Sequence, residues 1–256
     1  MNKLTIFSAA IVAASLSQSA WAQHSDVEYG YDDAANPAAI VLENDNVSDE
    51  GFQFWEVEFE VLDPNIPGDF GTEDPGFITE LDEGLQFNAG DNIFVNTLDA
   101  SANSNFGVGY VNYYNPATSL LEASNRIAIS DNTVGTSDLI LDGASTPVGD
   151  ALQFLGTANS DGFLHDHLTF DLLDDATVPD GAYGLLLEVH AVQANGDPTI
   201  VSDPFLFVFN HNLSEDVFEE QALAAFGIVE SAAIPEPTSL ALLFGGATCL
   251  VLRRRR

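Results

Sequence analysis

Apolar and polar residues alternate with a period of two along much of this chain. In the clearest run, Phe52-Gln53-Phe54-Trp55-Glu56-Val57-Glu58-Phe59-Glu60-Val61, Val57, Phe59 and Val61 share one face and Glu56, Glu58 and Glu60 the other. That is the period of a strand with one buried face. Shorter segments of the same kind lie at 38–42, 84–87, 92–97, 108–114, 126–129, 138–141 and 152–154. The longest lie at 162–172, 182–194 and 199–210, punctuated by Pro179-Asp180-Gly181 and Asn195-Gly196-Asp197-Pro198. Many short strands between turn clusters predict an all-β fold, an antiparallel β-sandwich of immunoglobulin-like or jelly-roll-like type. One short helix is expected after the last strand. Ser214 supplies a cap, Glu215 and Asp216 an acidic first turn, and Val217, Phe218, Leu223 and Phe226 an apolar side. Residues 63–76, with Pro64, Pro67, Pro75 and four acidic residues, read as a long loop with no assigned role.

The two ends break this pattern. Lys3 precedes an apolar stretch over 4–16, followed by Ser17-Gln18-Ser19-Ala20-Trp21-Ala22. A positive charge, a short apolar run and the small residues Ala20 and Ala22 before Gln23 have the layout of a secretory signal peptide over 1–22, cut by signal peptidase. At the other end Pro235-Glu236-Pro237 precedes an apolar run over 240–252 and the cluster Arg253, Arg254, Arg255 and Arg256. The run is shorter than the ~20 residues of a stable span, and the arginines favour the cytoplasmic side. A plain membrane anchor is one reading of this tail. The order and spacing of its three elements resemble the PEP-CTERM sorting signal read by exosortase enzymes, here over 234–256. That resemblance implies a transient membrane helix, processing at Pro235-Glu236-Pro237, and delivery to the cell surface or extracellular matrix.

Between the ends, residues 23–230 form one acidic domain. Of six basic residues only Arg126 lies in this body, against all but Glu236 of the forty acidic residues. Such a surface excludes nucleic acid and confines membrane contact to the tail. The single cysteine, Cys249, also sits in the tail, so the body has neither disulfides nor thiol chemistry.

Candidate chemistry rests on histidine. In Leu164-His165-Asp166-His167-Leu168-Thr169-Phe170 a strand period places Leu164, Leu168 and Phe170 on one side and His165 with His167 on the other. Two imidazoles on one strand face can chelate a transition ion. On the segment 182–194, Glu188 and His190 oppose Leu185, Leu187 and Val189, so His190 would join the pair if the two strands were neighbours. His24 and Asp26 offer completing ligands. Zinc or another divalent transition metal is the expected cofactor. Calcium is the alternative for the acidic groups, although Asn159-Ser160-Asp161-Gly162 and Asn195-Gly196-Asp197 read more simply as turns. A copper site at the mature N-terminus would require cleavage after Gln23 rather than after Ala22. The chain shows no Gly-x-Ser-x-Gly elbow, no His-Glu-x-x-His and no phosphate loop, so a nonenzymatic role is expected. An adhesive protein contacting extracellular polysaccharide is the other reading, with Tyr110, Tyr113 and Tyr114 as candidate sugar contacts.

His24-Ser25-Asp26, Leu164-His165-Asp166-His167-Leu168-Thr169-Phe170, Pro179-Asp180-Gly181-Ala182-Tyr183-Gly184-Leu185-Leu186, Ser202-Asp203-Pro204-Phe205 and Phe207-Val208-Phe209-Asn210 together resemble two related groups. These are the choice-of-anchor M type of surface-anchored domain and the PEP-CTERM proteins repressed by the zinc-uptake regulator. The resemblance implies expression under zinc limitation and zinc handling at the surface. The lysine-free, aspartate-rich body departs from it and leaves metal selectivity open.

Overall fold

The computed structural model describes residues 26–228 except 36, 44–51, 67, 101–108, 124–125, 132, 134–136, 143–146 and 174–177. The segment 1–22 expected to be a signal peptide, His24 and the segment 234–256 therefore lie outside the described residues. The fold is all-β with one short helical segment near its C-terminal end, as the periodicity predicts.

Three sheets enclose the core. The largest runs β12 (Leu152–Thr157), β7 (Asn92–Leu98), β15 (Gly181–Val192), β17 (Phe205–His211) and β3 (Gln53–Glu58), with β8 (Asn112–Asn115) and β16 (Ile200–Val201) also on β15 and β9 (Leu120–Ala123) on β8. A four-stranded sheet runs β13 (His165–Asp166), β6 (Phe77–Ile78), β1 (Val27–Tyr31) and β2 (Ile40–Glu43). A five-stranded one runs β11 (Leu139–Asp142), β10 (Arg126–Ser130), β14 (Thr169–Leu172), β5 (Phe70–Thr72) and β4 (Glu60–Val61). Most pairings are antiparallel, while β1 with β6 and β3 with β17 run parallel.

The core is aromatic. Phe77 and Phe170, from the two smaller sheets, meet Phe207 of the large sheet with ring centroids 6.0 and 5.7 Å apart. Strand parity explains who contributes. Tyr183, Leu185, Leu187, Val189 and Ala191 of β15 enter this core, as do Phe205, Phe207 and Phe209 of β17.

The other face of β15 and β17 is covered too. Ala182, Leu206 and Val208 form a second core with Phe54, Tyr114 and the helical residues Phe218, Ala222, Leu223 and Phe226. Every residue of β17 is buried, so its first five residues, Phe205 to Phe209, are apolar without a break, in place of the period-two alternation expected over 199–210. The helical segment starts after Ser214, whose carbonyl accepts from Val217 and Phe218 N–H groups, each at 2.9 Å. A π turn over Phe218–Ala222 widens it, so that both Ala222 and Leu223 face the sheet.

Several segments differ from their expected form: 199–210 splits into β16 and β17, and of 108–114 the described strand, β8, begins only at Asn112. The segment 162–172 is two short strands, β13 and β14, which join different sheets across a break at His167 and Leu168. The run 52–61 breaks at Phe59, and Val61, expected to be inward, lies exposed on the edge strand β4. Residues 84–87 form no strand, yet Leu85 and Phe87 are buried and Gln86 accepts from the Tyr31 N–H at 3.1 Å.

The packing between helix and sheet is tight enough to test. A Cβ on Gly184 would overlap the ring of Phe226 at Cε1, so Gly184→Ala must displace that buried ring. The variant should lose about 1–3 kcal/mol, read as a lower urea midpoint at unchanged slope. His211 is buried against Phe70 and Tyr183, and burial holds its imidazole below the usual range, against a smaller opposing effect of Asp180. A depressed folded value means its contribution is present above the unfolded value of about 6.5 and is lost as pH falls through the folded one. His211→Gln should therefore flatten the decline of the urea midpoint with acidification below about pH 6.5.

Candidate metal site at a sheet edge

The parallel register of β1 on β6 sets Val27 opposite Phe77, and the antiparallel register of β13 sets His165 opposite Ile78 and Asp166 opposite Phe77. Asp26, Gly76 and His167 are therefore brought side by side at one end of this sheet. Leu164 is buried in the core, so His165 points outward. Thr79 locks the arrangement: its backbone N–H donates to the Leu164 carbonyl at 3.0 Å, and its hydroxyl accepts from the Leu164 N–H at 2.9 Å.

His165 Nε2 lies 3.2 Å from His167 Nε2 and 3.1 Å from Asp26 Oδ2. His167 Nδ1 is 2.8 Å from the Glu73 carbonyl, which only a protonated nitrogen can satisfy. That contact fixes the tautomer and leaves the lone pair of Nε2 facing His165. The other Asp26 oxygen, Oδ1, accepts from the Gly76 N–H at 3.0 Å. One turn, 73–76, thus orients both a histidine and the carboxylate. Three donor atoms then converge, and His165 Nε2 has only one proton to share between two acceptors. A cation placed among them satisfies all three.

The spacing suits a transition ion. Tetrahedral zinc with bonds of about 2.0–2.1 Å sets neighbouring donors about 3.3 Å apart. An outer partner on the second ring nitrogen, as Glu73 provides, is the usual support of a ligating imidazole. The donor set of two imidazoles and one carboxylate also suits iron and other divalent transition ions.

The remaining expected ligands fare differently. His190 does not join the cluster. Strand β15 pairs with β7, β8, β16 and β17, not with β13, and its inward residues meet those of β14 across the core. His190 therefore faces out of the opposite side of the sandwich, where its Nε2 is 2.6 Å from Glu188 Oε1. Glu188 also accepts from Asn96 Nδ2 at 2.8 Å. His24 lies outside the described residues. The orienting turn 73–76 is not recognisable from the sequence, where its only signal is Glu73-Asp74-Pro75-Gly76 at the end of a loop with no other mark.

Glu28, Glu43 and Glu83 also come within 4.8 Å of one another, offering oxygen donors only. Burial first, and then Glu80, Glu83 and Asp26, push the Glu28 carboxyl above its usual value. A hydrogen bond with Glu83 does the same for Glu43. The two calcium-like fragments are turns. Asn159 Oδ1 accepts from the Asp161 and Phe163 N–H groups at 2.8 and 3.1 Å, and Asn195 Oδ1 from that of Asp197 at 2.8 Å. Tyr113 and Tyr114 are buried, and Tyr110 packs against the core.

The molecule so described is an all-β sandwich with a candidate two-histidine, one-carboxylate site at a sheet edge. Residues 233–256 match the PEP-CTERM protein-sorting motif. The chain is accordingly an exported, exosortase-sorted surface protein. The match covers the tail alone, and comparison with curated proteins and with solved structures gives no match. Among the described residues no helix is long and apolar enough to cross a membrane; the apolar run 240–252 lies outside them.

A Cβ on Gly76 would fall 2.5–2.9 Å from three atoms of the His167 ring. Gly76→Ala should displace that imidazole, so whatever zinc affinity the native chain has should fall at least about tenfold while the urea midpoint stays nearly unchanged, since the ring is outside the core. Zinc titration calorimetry beside urea unfolding checks both halves.

Proposed function

We propose that the exported body binds a divalent transition ion, zinc in the first instance, without catalysing a reaction. The ligands are His165 Nε2, His167 Nε2 and an oxygen of Asp26. The observation that carries this reading is the convergence of three donors, His165 Nε2 lying 3.2 Å from His167 Nε2 and 3.1 Å from Asp26 and all three within 4.8 Å of one another, with the Glu73 carbonyl holding His167 in the ligating tautomer. His24, two residues before Asp26, is within chain reach as a fourth ligand.

The acidic surface favours cations over anions generally, but imidazole donors select transition ions over calcium and magnesium. Assembly of the site requires folding, because Asp26 and the two histidines are far apart in sequence. The adhesive reading would need exposed aromatic rings, and Tyr113 and Tyr114 serve the core instead.

Calorimetric titration of the purified protein with zinc decides the matter. The native chain should bind one ion, and a His165→Ala/His167→Ala variant at least about a hundredfold more weakly. Equal binding by the two, or none by either, would remove the proposal.

A further inference from the structure

The outer face of the large sheet, where β12, β7 and β15 lie side by side, contributes to neither core. Residues opposite one another in register share a face. Phe154 pairs with Phe94, Phe94 with His190 and His190 with Val201, which makes one row across four strands. A second row runs Leu152, Asn96 and Glu188, and a third Thr157, Asn92 and Val192. All of them point outward, because the residues that alternate with them, such as Val95, Val189 and Ala191, are buried in the core. Phe94 and Phe154 are partly exposed, with ring centroids 5.2 Å apart and planes inclined at 56°. Leu152, Val192 and Val201 border them at 37%, 38% and 40% exposure. Polar groups flank the rings and hold one another in place. Glu188 Oε1 is 2.6 Å from His190 Nε2 and accepts from Asn96 Nδ2 at 2.8 Å, and Thr157 Oγ1 donates to Asn92 Oδ1 at 2.6 Å. We propose that this face binds a neutral polysaccharide chain, with sugar rings laid on Phe94 and Phe154 and sugar hydroxyls met by Asn92, Asn96, Glu188 and His190.

Charge and polarity together choose this occupant. Glu188 is the one carboxylate in the three rows, and a second, Asp131, accepts from the Phe154 N–H at 2.8 Å along the sheet edge. The only basic residue of the body, Arg126, belongs to the five-stranded sheet. Anionic chains and a second copy of this polyanion are therefore repelled. A purely apolar partner would cover the amides, the carboxylate and the imidazole without hydrogen bonds to replace water, at a cost for each. A pyranose answers both demands. Its C–H face carries weak positive charge and meets the negative face of an aromatic ring, while its hydroxyls both donate and accept. Phe94 and Phe154 thus offer outward rings, where Tyr113 and Tyr114 are buried. The face is independent of the candidate metal site, whose His165 belongs to the four-stranded sheet.

Affinity electrophoresis tests this, with the protein run through native gels holding hydroxyethylcellulose, dextran, laminarin or galactomannan, and alginate as the anionic comparison. At least one neutral polymer should retard the native chain. A Phe94→Leu/Phe154→Leu variant, which keeps apolar bulk and removes the rings, should bind that polymer at least about tenfold more weakly. Retardation should survive chelation and the His165→Ala/His167→Ala change, so that the fate of this face and that of the metal site are read separately. No retardation by any neutral polymer overturns the inference, as does retardation by alginate alone or equal retardation of the native chain and the leucine variant. If urea unfolding shows the double variant to be unfolded, the two single leucine variants take its place under the same criteria. Retardation abolished by chelation would move the binding to the metal, which also overturns it. A native dimer in sedimentation equilibrium that dissociates when the rings are removed would assign the face to a second copy and overturn it equally.

Discussion

The structure depends on the pairing of β15 with β17, in which Gly181 to Leu187 run antiparallel to His211 to Phe205. Both strands are buried on both faces along this pairing, and the elements that carry the two cores cover these faces. The two smaller sheets close one side with rings such as Phe77 and Phe170. The helical segment closes part of the other with Phe218, Leu223 and Phe226. Two-sided burial lets a domain of this size stand without a disulfide. It also restricts side chains at the contact: Gly184 is where the ring of Phe226 lies against the sheet.

Polar chemistry is pushed to the rim by the same packing. The candidate site uses the ends of β1, β6 and β13, where strands leave the sheet and side chains reach water without sacrificing the core. Its precision comes from backbone groups. The Glu73 carbonyl and the Gly76 N–H hold His167 and Asp26, and Thr79 pins Leu164 beneath His165. A rigid sandwich with ligands held by backbone hydrogen bonds is a suitable support for an ion at an exposed edge.

Export sets the surroundings for this chemistry. The sorting motif at 233–256 places the body outside the cell, where an acidic, cysteine-free surface stays soluble and avoids thiol exchange. The two ends hold every positive charge except Arg126. What is delivered is a polyanion whose described histidines fall into three environments: the pair at the sheet edge, the Glu188-bound His190 on the opposite side, and the buried His211.

Period-two alternation was legible wherever one face of a strand is wet, as in 92–98 and 169–172, because burial on one side imposes the pattern locally. The outward pairing of His165 with His167 and the helix after Ser214 follow from local periodicities, and the sorting tail from its linear order of elements. Which strands become neighbours is a long-range choice that local sequence does not encode. It separated His190 from the other two histidines by sending 165–166 to β6 and 181–192 to β7 and β17. It also brought Asp26 and the turn 73–76, far away in the chain, against His165 and His167. By itself the sequence determined the fold class, the destination and one face of the candidate site. Only the tertiary structure decided its third ligand and the backbone groups that orient it, because those contacts join segments whose local patterns carry no mark of one another.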